Sequence, residues 1–189
     1  IREFYGREFI VTKDTLDPRA DTETLIDAIR QAYTKDSKLH FLDLGTGTGC
    51  IPITLLKELP NSSALAIDIS EKALEVAKQN AITQQVEAQL ELKKSDFFSA
   101  LKKTDKFDFI TSNPPYIPTE DIKALEPEVR IFEPSLALDG GEDGLNCYKI
   151  IAKQAQQHLK QNGKIFLEIG YNQERPVTEI FRQHNFKLE

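Results

Sequence analysis

Leu39-His40-Phe41-Leu42-Asp43-Leu44-Gly45-Thr46-Gly47-Thr48-Gly49 is a short apolar run that ends in an acid and three alternating glycines. It reads as a strand that stops at a loop in which glycine, lacking Cβ, lets the backbone turn sharply and approach a ligand closely. A helix follows, with Ile53, Leu55, Leu56 and Leu59 as its apolar positions and Pro60-Asn61 as its end. Strand, glycine loop and helix in this order are the start of a βαβ unit.

The same alternation continues outward from this point. Ser63 to Ile69 reads as a second strand closed by Asp68, and Ser70 as the N-cap of a helix with Ala73, Leu74, Ala77 and Ala81 on one face. Leu90 to Lys93 is a third strand, ending near Ser95-Asp96-Phe97-Phe98. A short helical stretch to Lys103 and a fourth strand, Phe107 to Ser112, come next. From Asn113 to Asp143 no regular period persists, which in a domain of this size marks a functional loop or a missed element. Gly144 opens a helix using Tyr148, Ile151, Ala155 and Leu159, Lys164 to Ile169 is a fifth strand, and Val177, Ile180 and Phe181 mark a last helix. Phe186 starts an expected sixth strand. On the N-terminal side, Phe4 to Val11 reads as a strand or hairpin arm. Asp21 or Thr22 is placed to N-cap a helix with Leu25, Ile26, Ile29 and Tyr33 inward. The fold class is α/β, a doubly wound, mostly parallel sheet.

The 189 residues fit one domain, and 40% hydrophobic with 29% charged residues is ordinary for a globular chain. A net charge of −6 and a pI near 5.2 weigh against a broad phosphate-binding face, and no apolar run approaches membrane-spanning length. Cys50 and Cys147 are far apart and His40, His158 and His184 are scattered, so no metal site is expected and a reducing, cytoplasmic setting is. Starting at Ile1, lacking methionine and stopping as a strand begins, the chain reads as a piece of a longer protein, truncated at both ends.

In a doubly wound sheet, ligands sit at the carboxyl ends of the strands. The unusual polar residues fall there: Asp43 to Gly49, Asp68, Asp96-Phe97 and Asn113-Pro114-Pro115-Tyr116. Asp68 stands 19 residues after Gly49, where an acid accepts bonds from ribose hydroxyls. The third glycine comes too early for an NAD fingerprint, and the Lys and Ser/Thr of a P-loop are missing. Asp96 and Phe97 suit an adenine, as an acceptor for its amine and a ring against its face. Pro114 and Pro115 lack N–H groups, and Asn113 before a proline is held extended, so the tetrapeptide offers a stiff row of oxygen acceptors beside a tyrosine ring.

The Asp-x-Gly-x-Gly-x-Gly loop resembles that of class I S-adenosylmethionine-dependent methyltransferases, and Asn113 to Tyr116 resembles the Asn/Asp-Pro-Pro-Tyr/Phe motif of those that modify planar nitrogens. Three further stretches are similar to the HemK/PrmC family of release-factor glutamine methyltransferases. They are Phe4-Tyr5-Gly6-Arg7-Glu8-Phe9 leading to Pro18-Arg19-Ala20-Asp21-Thr22-Glu23, then Glu133 to Leu145, then Glu168-Ile169-Gly170-Tyr171-Asn172-Gln173. The resemblance implies a Rossmann-like methyltransferase domain over 21–189 with an incomplete C-terminal hairpin. Residues 1–20 would then be the hairpin and linker from an N-terminal helical domain outside this chain. It implies S-adenosylmethionine held by Gly45, Thr46, Gly47, Thr48, Gly49, Asp68, Asp96, Phe97 and Asn113. It also implies a glutamine of a release factor's Gly-Gly-Gln loop bound by Asn113, Pro114, Pro115 and Tyr116, of which Asn113, Pro114 and Tyr116 act in catalysis. Phe97 stands where many relatives carry tryptophan. No membrane or direct nucleic-acid partner is expected. The alternative acceptor is an exocyclic adenine amine in RNA or DNA, disfavoured by the acidic charge and the lack of a basic stripe.

Overall fold

The computed structural model describes residues 1–189, the side chain of Ile131 excepted. Strands β3 (His40–Leu44), β4 (Ser63–Asp68), β5 (Leu90–Lys94), β6 (Phe107–Ser112) and β7 (Leu159–Leu167) form a five-stranded sheet in the order β5-β4-β3-β6-β7. All four pairings are parallel. This bears out the doubly wound, parallel reading, and the strand order reverses between β3 and β6, which is where such a sheet opens a crevice.

Alternation along the strands sorts the core into two layers. Phe41, Ala64, Ala66 and Phe109 face one layer with Ile26 and Ile29 of α1 (Glu23–Ala32) and Ile53 and Leu56 of α2 (Cys50–Glu58). Leu42, Leu44, Leu65, Ile67 and Ile110 face the other, with Ile151 and Ala155 of the helix Asn146–Ala155. Phe109 is fully buried, stacked on Phe41 at 4.7 Å and on Tyr33 at 5.3 Å between ring centroids.

Strands β1 (Arg2–Phe4) and β2 (Arg7–Phe9) pair as an antiparallel hairpin whose Phe4 and Phe9 are buried in the first layer. Asn80 of α3 (Glu71–Thr83) fastens this hairpin to the glycine loop. Its Oδ1 accepts from the Ile10 amide at 2.7 Å, and its Nδ2 donates to the carbonyls of Ile10 (3.0 Å) and Thr48 (2.9 Å). Ser70 caps α3 as read from the sequence, its Oγ accepting from the Ala73 amide at 3.2 Å.

Four local readings change. Thr22 precedes α1 but makes no side-chain cap, because its hydroxyl is engaged elsewhere. The stretch to Lys103 is turns rather than helix. Leu159 belongs to β7, since the preceding helix ends at Ala155; the register of β7 against β6 slips between Phe107 and Phe109, with Asn162 in a left-handed turn. Phe186 does not begin a strand; its ring packs against Phe181 instead. Within 113–145 lies a helix α4 (Pro127–Phe132), followed by α5 (Asn146–Ala155) and α6 (Glu174–Gln183).

Candidate active site

The carboxyl ends of β3, β4, β5 and β6 surround a cavity of about 280 Å³. Two strand ends are stitched together at its floor, where the Ser112 hydroxyl donates to the Leu44 carbonyl at 2.7 Å. Gly45 and Gly47 line the cavity with φ of 71° and 54°, and a Cβ on either would meet nothing within 4 Å. Their backbone therefore faces open space in a left-handed conformation, which other side chains rarely adopt. Gly49 serves a different purpose. A Cβ there would stand 2.9 Å from Cδ1 of Ile53 and 3.1 Å from Cβ of Ala77, so this glycine permits α2 and α3 to approach.

The expected cofactor residues thus divide. Gly45, Gly47, Asp68, Asp96, Phe97 and Asn113 come together in the cavity wall, whereas Thr46 and Thr48 are buried and, like Gly49, stand outside it. Asp68 spans the loop and the next helix: Oδ2 accepts from the Gly47 amide at 2.9 Å and Oδ1 from the Ser70 amide at 2.8 Å. Burial raises its pKa against these two bonds. Phe97 is partly buried with φ of 44°, a conformation that costs a non-glycine residue about 1–3 kcal/mol. The hydroxyl of buried Ser95 donates to its carbonyl at 2.6 Å and helps hold that turn.

Four carboxylates, Asp14, Asp68, Asp96 and Asp139, line the cavity without a basic side chain. Just outside the wall, Asp43 is fully buried and neither carboxylate oxygen has a hydrogen-bond partner. Desolvation pushes it up to about 7. The site is therefore suited to a ligand that brings positive charge and donors.

On the β6 side, Asn113, Pro114 and Pro115 line the cavity while Tyr116 does not. The Tyr116 hydroxyl leans away to Oε1 of Glu168 at 3.4 Å, and its pKa is raised by burial and then by that carboxylate. Its backbone is gripped by the glycine-rich stretch. Ile117 and Asp139 form a parallel bridge, and a Cβ on Gly140 would lie 2.8 Å from Cα of Tyr116.

Sequence reading missed several contributors. Asp14, Thr15 and Leu16, directly after the hairpin, and Leu136 and Ala137 from the irregular stretch close the cavity. Arg19 and Glu133 join those two stretches by an ion pair at 2.5 Å. Thr22 and Glu168 lie behind Asn113: Asn113 Nδ2 donates to Thr22 Oγ1 at 3.1 Å, and Thr22 Oγ1 donates to Glu168 Oε2 at 2.5 Å. Arg19, Thr22, Glu133, Leu136, Ala137 and Glu168 fall in stretches carrying the family resemblance, whereas Asp14, Thr15 and Leu16 lie between two of those stretches.

Comparison with known proteins agrees with this geometry. The sequence profile of a family described as "Methyltransferase small domain" matches residues 10–134. A release factor glutamine methyltransferase of Cereibacter sphaeroides is 49% identical over 95% of this chain and 62% of its own length. A bifunctional methyltransferase of Rickettsia bellii is 45% identical over 100% of this chain and 38% of its own. A solved methyltransferase of Pyrococcus furiosus has a TM-score of 0.70, covering 98% of this chain and 81% of that one at 18% identity, a likeness of fold. The chain spans less than two thirds of the length of either curated relative. The resemblance read from the flanking stretches is borne out, as is the Rossmann-like methyltransferase fold.

Proposed function

This chain belongs to the methyltransferase small domain family, and from that premise we propose that it methylates the side-chain amide nitrogen of a glutamine in a peptide chain release factor. S-adenosylmethionine, bound in the strand-end cavity, supplies an electrophilic methyl on a sulfonium. Gly45 and Gly47 give it a backbone cradle, Asp68 offers free lone pairs to ribose hydroxyls, and Asp96 and Phe97 take the adenine. The acidic wall favours the cationic donor over its neutral product.

The glutamine amide is a weak nucleophile because its lone pair is delocalised. The Asn113 side-chain oxygen and the Pro114 carbonyl accept its N–H groups, turn the lone pair toward the methyl and stabilise charge developing on nitrogen. The nitrogen–carbon bond forms as the sulfonium–carbon bond breaks, and the methylated nitrogen then releases a proton to water. Tyr116, turned toward Glu168, anchors the end of the tetrapeptide rather than lining the acceptor cavity. The observation that carries this reading is that Asn113, Pro114 and Pro115 share one cavity with Gly45, Gly47 and Asp68. The choice of a release-factor glutamine draws support from a relative named for that activity, and the Gly-Gly-Gln loop that presents it is what the family resemblance implies. A release factor works on the ribosome, so we assign the protein to the cytoplasm.

The test is methyl transfer from labelled S-adenosylmethionine by the full-length protein that carries this chain. Label should enter a release factor and not one with Gln→Ala in its Gly-Gly-Gln loop. Label entering tRNA or DNA, or entering the alanine variant equally, overturns the assignment.

A further inference from the structure

An asparagine carboxamide presents an acceptor on one side and a donor on the other, and the two ends are nearly isosteric. For a residue that must accept an N–H, the wrong face is repulsive. The neighbours of Asn113 remove the choice. Glu168 as a carboxylate can only accept, so the single proton of the Thr22 hydroxyl, 2.5 Å from Oε2, goes to it. The Tyr116 hydroxyl, 3.4 Å from Oε1, adds a second donor to the same carboxylate. With its proton committed, the Thr22 oxygen can only accept, and the group 3.1 Å away must be the Asn113 NH2. Thr22 is 2% exposed, so bulk water does not compete for its lone pairs. Asn113 Oδ1 has no partner in the protein and is left for the cavity that this residue lines.

We propose that Thr22 and Glu168 are positioning residues that fix the direction of the Asn113 carboxamide, so that its oxygen and not its NH2 meets the methyl-accepting nitrogen. The inference rests on the reading of Asn113 as the acceptor clamp. The three residues are distant in sequence, and the relay Glu168–Thr22–Asn113 joins the end of β7 and the start of α1 to the end of β6. Unlike a neutral amide at position 168, the carboxylate permits one polarity of the relay only.

The test measures turnover on a release factor by the full-length protein, with calorimetric titration of S-adenosylmethionine, for Asn113→Ala, Thr22→Val, Thr22→Ser and Glu168→Gln. Thr22→Val keeps the volume and loses the relay, and its kcat should fall on the order of 10- to 100-fold while cofactor affinity holds. Thr22→Ser should restore most of that loss. Glu168→Gln can accept from Thr22 or donate to it, so it should fall between Thr22→Val and the wild type. Wild-type kcat in Thr22→Val, with Asn113→Ala inactive, overturns the relay and leaves the clamp standing. A parallel loss of cofactor affinity in Thr22→Val, or no recovery in Thr22→Ser, also overturns it. Full turnover by Asn113→Ala removes the clamp itself. Should Thr22→Val fail to fold, wild-type kcat in Glu168→Gln overturns the proposal.

Discussion

The side-chain amide of Gln173 donates to the carbonyl oxygen of Tyr116 at 2.9 Å, joining the loop after β7 to the loop after β6. The same Nε2 reaches the Gly144 carbonyl at 3.3 Å, and Oε1 accepts from the Gly170 amide at 3.0 Å. Gln173 is buried, and a Cβ on Gly144 would stand 2.4 Å from that Tyr116 oxygen. One glutamine and one glycine thus hold the strand end on which Asn113, Pro114 and Pro115 are displayed.

Replacing Gln173 by Leu leaves three backbone groups short of a partner, that of Gly144 buried and those of Tyr116 and Gly170 partly buried. A buried orphan costs about 1–3 kcal/mol and a partly buried one less, so denaturant melts should show a loss of about 2–4 kcal/mol and turnover should fall with it. A variant as stable as the wild type would remove Gln173 from the support of Tyr116.

Asp68→Ala removes the acceptor for ribose hydroxyls and also orphans the amides of Gly47 and Ser70. Loss of hydrogen bonds to a charged group should weaken S-adenosylmethionine binding by about 1.5–3 kcal/mol. Calorimetry reads this directly, and unchanged affinity would take Asp68 out of the cofactor site.

Asp43 makes stability depend on pH in a stated direction. Burial moves its carboxyl from 3.8 to about 7, so between those values the folded chain holds a proton that the unfolded chain has released. Stability therefore falls as pH rises through this window and levels off above it, by a total of about 4 kcal/mol. Asp43→Asn escapes the dependence, and its stability relative to wild type should improve between pH 4 and about pH 7 and then hold level in urea titrations. A difference that stays constant with pH would contradict the argument.

Phe109→Ala opens a hole where three aromatic rings meet, those of Phe41, Tyr33 and Phe166. The cost should be about 3–5 kcal/mol, seen as a lower melting midpoint, with cofactor affinity unchanged at temperatures where the variant is folded. Loss of affinity without loss of stability would mean that this layer of the core shapes the cavity.

The frame of the site could be read locally. Leu39 to Leu44 alternates between two core layers because neighbouring side chains on a strand point to opposite faces. The glycines at 45 and 47 sit where only a residue without Cβ is comfortable. Thr22 shows where local reading stops. A threonine before a helix reads as its cap, but its hydroxyl is taken by residues 91 and 146 positions away. Tyr116 is a similar case: the motif groups it with Asn113, yet its ring turns from the cavity toward Glu168.

Periodicity and turn chemistry act over a few residues, so the sequence by itself determined the parallel sheet, the glycine loop and the strand ends that bear Asp68, Phe97 and Asn113. Hydrogen-bond partners and desolvation depend on what the folded chain brings alongside. Only the tertiary structure decided that Thr46 and Thr48 are buried outside the cavity wall, that Asp43 is buried without a partner, and that Thr22 stands between Glu168, just past β7, and the amide of Asn113, just past β6. The physical reason is that a side chain's type fixes what bonds it can make, while its neighbours in space fix which one it does.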